Sequence, residues 1–168
     1  MTRRAAGLLV FVAIWSAEAQ PQAKPGEPEI LAKVASIHGA AGVFAVAGYR
    51  IGQNALERLD QKRGSFALDV THKTPLQVQW SCIADGVQAA TGVSAGKLNL
   101  HVVEVTPDRL ETVIQDKGSG RTLRYRIQPA FLKRFLDTPM EQQAAKARET
   151  LKLADAEIFS VEEIAKKP

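Results

Sequence analysis

Residues 80–100 read WSCIADGVQAATGVSAGKLNL, and how this stretch folds decides how the rest of the chain is organised. Residues 82–91 are small, with Ile83, Val87 and Ala90 on one helical face and Gly92 placed as a C-terminal stop. The stretch predicts a strand running into Cys82, a short helix starting there, and a second strand leaving from Lys97. Polar chemistry therefore gathers where backbone groups are free. Cys82, the only cysteine, has Asp85 three residues on. At a helix N-terminus its thiol would feel the macrodipole and be favoured as thiolate. A small buried hydrophobe followed by a first-turn helix stabiliser explains the pair equally well. The segment from Gly92 to Lys97 is one residue short of a nucleotide-binding GxxxxGK loop and has Leu98 after the lysine, so it is not one. It reads either as an anion-receptive turn delivering Lys97 and Asn99 or as a plain helix-to-strand connection.

Upstream, Phe66, Leu68 and Val70 alternate with polar positions, as do Leu76, Val78 and Trp80, which predicts two strands joined by a turn that carries a solvated His72. Residues 43–59 predict a helix with Phe44, Ala47, Gly48, Ile51, Ala55 and Leu59 on one stripe. Gly48 and Gly52 each cost about 1 kcal/mol relative to alanine there, so another backbone is expected to approach closely. Before it, residues 30–37 predict one or two helical turns ending at His38-Gly39. That imidazole can ligate a metal or move a proton from a loop, or simply satisfy a helix end.

Downstream, strands are expected over 97–106, 110–116 and 121–127, the last two joined by a Lys117-Gly118-Ser119-Gly120 hairpin. His101 shares a strand face with Asn99, Val103 and Val105, while Arg124 and Arg126 share one with Thr122. Helices follow over 130–136 and, behind a Thr138-Pro139-Met140-Glu141 capping signature, from 139 to about 153. Residues 155–165 close the fold. This order predicts an α+β domain: a mixed, mostly antiparallel sheet with helices packed on one face.

The 168 residues suit one domain, and 45% hydrophobic with 24% charged residues is an ordinary globular balance. The net charge of +4 is spread, with no basic run interleaved with aromatics, so no nucleic-acid partner is expected. Arg3 and Arg4, the apolar run to Trp15 and the Ala17-Glu18-Ala19 site read as a signal peptide over 1–19, leaving no stable membrane span once cleaved and a periplasmic or secreted product. Residues 20–28 read as a Pro-rich linker, and 29–168 as the folded domain. One cysteine excludes an internal disulfide, and in an oxidising compartment it needs burial or a task. No GxSxG elbow, HExxH pair, dinucleotide fingerprint or CxxC knuckle occurs.

His38-Gly39, Gly48-Tyr49-Arg50, Cys82, Asp85, Gln88, Thr91-Gly92, Gly96-Lys97 and Asn99-Leu100 follow one another as in the FmdE family of formylmethanofuran dehydrogenase proteins, whose members carry HGHxCPG, GxR and a CxxD, Q, TGxTxGKxNL series. The chain resembles that family from about residue 30 to 164. The resemblance implies an α+β domain with a mixed sheet, similar to the catalytic domain of glyceraldehyde-phosphate dehydrogenase, often a homodimer. It also implies zinc or another divalent transition metal held by His and Cys. Ala40, Gly42, Val43 and Val93 replace the second histidine, the first cysteine, the proline and a later cysteine of the family pattern. His38 and Cys82 are the ligands that remain, with Asp85, Lys97, Asn99 and His101 as further ligand-binding candidates. The expectation is an exported domain that binds a metal ion or a metal-bearing or anionic small ligand in an accessory role. The alternatives are an enzyme with Cys82 as nucleophile and His38 as base, and an interaction module with a degenerate site.

Overall fold

Helices α2 (Val43–Arg58) and α3 (Val78–Thr91) approach each other so closely that side chains are excluded from the contact. In the computed structural model, which describes residues 25–164, a Cβ added to Gly86 would stand 1.8 Å from the Ala45 carbonyl oxygen, and one on Gly48 would stand 2.1 Å from that of Ile83. The approach expected at Gly48 and Gly52 is present, Gly52 meeting the Ala90 methyl. Gly86, inside the quoted stretch, is its counterpart on the facing helix.

The pair lies on a five-stranded sheet of order β2-β1-β3-β4-β5, made of β1 (Leu68–Thr74), β2 (Leu100–Glu104), β3 (Glu111–Asp116), β4 (Thr122–Ile127) and β5 (Phe159–Ile164). Only β1 and β2, linked through α3, run parallel; the other pairings are antiparallel. Leu68, Val70, His72 and Thr74 alternate buried along β1, while Asp69, Thr71 and Lys73 face the opposite, open side. One core packs that buried face against α2, α3 and α4 (Pro129–Phe135), with Phe44, Ile83, Leu123 and Phe131 among its members. A second, smaller core sits on the outer side of α2 and α3, where α1 (Glu27–His38) and α5 (Gln143–Lys152) cover Ala45, Val46, Tyr49, Ala89 and Ala90. Helices buried on two sides must be built from small residues, which is why α2 and α3 are rich in Gly and Ala. The fold is the α+β class the element order predicts.

Several local expectations are corrected. Residues 76–81 are not a strand: α3 starts at Val78, because Trp80, Ile83, Ala84 and Val87 continue one helical face that three alternating residues had disguised. Conversely β1 extends through the expected turn to Thr74. His72 is fully buried rather than solvated, since hydrogen-bonded polar side chains occupy two of its inward positions. Helix α1 begins at Glu27, inside the expected linker, with Pro28 in the first turn. The expected capping signature at Thr138 is instead a 3-10 turn, Met140–Gln142, leading into α5. The closing segment is a single helical turn, α6 (Asp155–Ile158), followed by β5. The expected 117–120 hairpin is present: it joins antiparallel β3 and β4, and Asp116 accepts hydrogen bonds from the Gly118 and Ser119 amides and the Ser119 hydroxyl. The predicted signal peptide at 1–19 and residues 20–24 of the linker lie outside the described residues. Among those described, no single helix is long and apolar enough to cross a membrane.

Candidate functional site

The site candidates divide between the two ends of α3. At its N-terminal half, Cys82 and Asp85 lie one turn apart and α1 brings His38 against them: His38 Nδ1 donates to Asp85 Oδ2 at 2.8 Å. A carboxylate can only accept here, so Nδ1 carries the hydrogen, and in the neutral form of the ring Nε2 is the lone-pair nitrogen. Nε2 makes no hydrogen bond among the described residues. This is how a carboxylate orients an imidazole that ligates or accepts a proton.

Cys82 behaves otherwise than a helix-start thiol. Because α3 begins four residues earlier, Sγ–H sits in the second turn and donates back to the Val78 carbonyl. Burial, reinforced by the neighbouring Asp85 charge, pushes the thiol up to about 11. It is therefore protonated at neutral pH, the reverse of the thiolate expected from the macrodipole. It makes no hydrogen bond to His38 among the described residues, so a pre-formed nucleophile–base pair is missing.

His38 and Cys82 both line a half-open cavity of about 860 Å³ between α1, α5 and the first turns of α2 and α3. Its wall is mostly aliphatic, including Leu31, Ala35, Val43 and Phe44. Gln143, which sequence reasoning did not single out, holds the far wall in place: its Oε1 accepts the Val43 amide at 3.1 Å and its Nε2 donates to the Thr138 carbonyl at 2.9 Å. No local pattern marks such a role, because it caps a helix that starts 100 residues away.

At the other end of α3, Lys97, Asn99 and His101 do not reach this cavity. Lys97 Nζ donates to the Gly92 carbonyl at 2.9 Å and the Gly64 carbonyl at 3.3 Å, and lies 4.8 Å from the Phe66 ring centroid. Buried Asn99 accepts the Ser94 amide and donates to the Leu68 carbonyl, each at 3.0 Å. The turn is thus a helix-to-strand connection tied down by its own polar residues. His101 stands exposed on the open side of the sheet, 3.5 Å from Asp69, so the sheet separates it from His38. A second cavity of about 770 Å³ is lined by Arg50, Asn54 and Asp155. These bond to one another and to the Leu151 carbonyl and Tyr125 hydroxyl, fastening the C-terminal segment to α2.

A zinc ion held by the protein alone requires three or four ligands. Among the described residues no cluster of three or more His, Cys, Asp or Glu side chains can hold a metal. Of the expected donors, His38 and Cys82 line one cavity while His101 stands across the sheet, so the described residues bring two of them together.

Fold and site together define an α+β domain with an oriented histidine in the wall of an apolar cavity. Residues 37–166 match the family model described as "FmdE, Molybdenum formylmethanofuran dehydrogenase operon". The chain belongs to that family. A solved structure with a similar fold is a tungsten formylmethanofuran dehydrogenase FmdE-like protein from Syntrophus aciditrophicus. The likeness has a TM-score of 0.53 at 19% identity and covers 84% of this chain and 73% of that one. No curated protein matches.

Proposed function

We propose that this FmdE-family domain is an exported, accessory small-ligand-binding module. The ligand occupies the cavity beside α1, with His38 Nε2 as its polar anchor and Cys82 next to it. The observation that carries this reading is the His38–Asp85 hydrogen bond, which fixes one ring nitrogen and leaves the other unspent in the wall of an apolar cavity. Cavities of this size with few oriented polar groups are the usual form of small-molecule sites. A metal enters the site only with a ligand that brings its own remaining donors, since His38 and Cys82 supply two at most. The protonated thiol and the absence of a His38–Cys82 hydrogen bond favour binding over turnover.

An environment-sensitive apolar dye titrated into the purified protein tests this. One dye per domain is expected, lost in Ala35→Trp, where the indole fills the groove from α1. Unchanged dye binding by that variant overturns the assignment of the site. Elemental analysis of wild type beside His38→Ala and Cys82→Ala is expected to show less than one zinc per chain in all three. A full equivalent of zinc in wild type, lost in both variants, would restore the protein-held metal centre.

A further inference from the structure

The cavity's polar groups are distributed in a way that specifies the charge of its occupant. Among the described residues no Asp or Glu lines it; its ionisable lining groups are His38, Cys82 and Arg148. Leu31, Ala35 and His38 follow one another along one face of α1, so that wall runs ~10 Å at 1.5 Å per residue. His38 closes one end. Arg148, from α5, stands toward the other, because its Nε pairs with Glu27 at the start of α1 at 3.4 Å. The lining between these two polar ends is dominated by alanine, valine, leucine and phenylalanine, and Val78 and Met140 stand exposed at its mouth. The Phe44 and Ala45 amides, which open α2 into the cavity, make no hydrogen bond among the described residues, and the first turn of α2 carries no acidic side chain.

Resting on the small-ligand reading above, we infer that the ligand is an elongated amphipathic monoanion. Its apolar body lies along α1, its carboxylate meets Arg148, and a hydrogen-bond donor at its other end meets His38 Nε2, so that decanoate reports on the Arg148 end alone. A cationic head finds no carboxylate in the lining to pair with. An uncharged head leaves the guanidinium with Glu27 and with the Ala144 carbonyl it contacts at 3.5 Å. Both of those contacts are exposed, and exposed pairs are weak enough for a ligand carboxylate to replace them. A planar guanidinium offers a carboxylate two parallel hydrogen bonds, which selects this head over a hydroxyl of the same size.

Isothermal titration of the purified protein with decanoate, decan-1-ol and decylamine, three ligands sharing one chain length, tests the inference. Decanoate is expected to bind roughly tenfold more tightly than decanol, the factor one charge-assisted hydrogen bond supplies, with decylamine weakest. Arg148→Gln is expected to bring decanoate down to decanol's affinity and leave decanol unchanged, while Arg134→Gln on α4 changes neither. Equal binding of decanoate and decanol by wild type overturns the monoanion while leaving the cavity assignment standing. Retained preference for decanoate in Arg148→Gln overturns the role of Arg148. Binding of none of the three overturns both this inference and the reading it rests on. The wild-type panel remains decisive if Arg148→Gln does not fold.

Discussion

The two ends of α3 carry polar residues of the same kinds and use them differently. In the turn after Thr91, every polar atom singled out is spent inside the protein: Asn99 on the Ser94 amide and Leu68 carbonyl, Lys97 on two carbonyls and a ring face. In the first half of the helix, His38 uses one nitrogen on Asp85 and keeps the other, at the wall of a cavity. A buried group left unpaired costs more than a made bond returns, so fully spent groups mark architecture and unspent ones mark a place for a ligand. A run of residues that reads as one motif is therefore two devices separated by about two helical turns.

The sharpest break in this comparison comes from two glycines of the same stretch. Gly86→Ala drives a methyl into the Ala45 carbonyl and the Tyr49 amide of α2, with no side chain that can yield. We expect a loss of more than roughly 3 kcal/mol, at the upper end of overpacking effects, read as a fall in the urea midpoint or a failure to purify folded protein. Gly96→Ala, in the turn, meets nothing within 4 Å and should stay within about 0.5 kcal/mol of wild type. Equal effects at both positions would dissolve the distinction.

Acid separates the two ends next. His72 Nε2–H donates to the Trp80 carbonyl in the first turn of α3, and Nδ1 accepts the Thr112 hydroxyl. Burial lowers this imidazole to about 4 from an ordinary 6.5. The unfolded chain therefore binds the proton first, and stability falls as pH drops from 6.5 to 4. Over that window the loss reaches about 3 kcal/mol, the equivalent of 2.5 pH units. Urea titrations at pH 7 and 4.5 should show the fall in wild type and a shallower one in His72→Gln. Amide exchange should quicken at the start of α3 before it quickens around Asn99, whose amide does not titrate. Uniform quickening along α3 would count against His72 as the local pin.

A smaller effect sharpens the contrast directly. Asn99→Ala strands the Ser94 amide and Leu68 carbonyl and is expected to cost about 2 kcal/mol while leaving dye binding intact. Asp85→Ala breaks a partly exposed pair and should cost under about 1 kcal/mol, yet weaken dye and ligand binding by releasing the ring of His38. The reverse assignment, with Asn99 altering binding and Asp85 altering only stability, would exchange the roles of the two ends.

The fold was legible where the period was long and apolar. Residues 43–59 predicted α2 to within a residue, and Gly48 with Gly52 announced the helix contact. It was illegible where polar residues occupied inward positions. His72 and Thr74 hid the second half of β1, and Leu76 with Val78 passed for a strand although both are exposed. That error moved the start of α3 and with it the expected state of Cys82. Of the candidate site, the order of motif residues placed His38, Cys82 and Asp85 in one family pattern, and the structure brings His38 and Asp85 together. Lys97 and Asn99 belonged to the same pattern, and His101 was a further candidate just beyond it, but all three bond elsewhere, which only the path of the chain into β2 and across the sheet reveals. Gln143 and Arg148 gave no signal, because a long-range cap and a rim charge have no local spacing.

The smallest effect concerns the thiol itself, and it decides whether the first half of α3 is poised for chemistry or for binding. Two influences push Cys82 up, burial first and the charge of Asp85 second, and its hydrogen bond runs from sulfur to the Val78 carbonyl, which favours the protonated form. Alkylation by iodoacetamide requires thiolate, so the rate at pH 7.5 should be far below that of a free cysteine and should rise about tenfold per pH unit until the thiol titrates near 11. Asp85→Asn removes the second influence and leaves the first, so the rate at pH 8 should rise by less than about tenfold, the change one unit of pKa would bring. A rate already at its plateau at pH 7 would show an activated thiolate and return the nucleophile reading to first place. A slow rate in wild type that Asp85→Asn leaves untouched would show burial alone to set the thiol, with Asp85 acting only on His38.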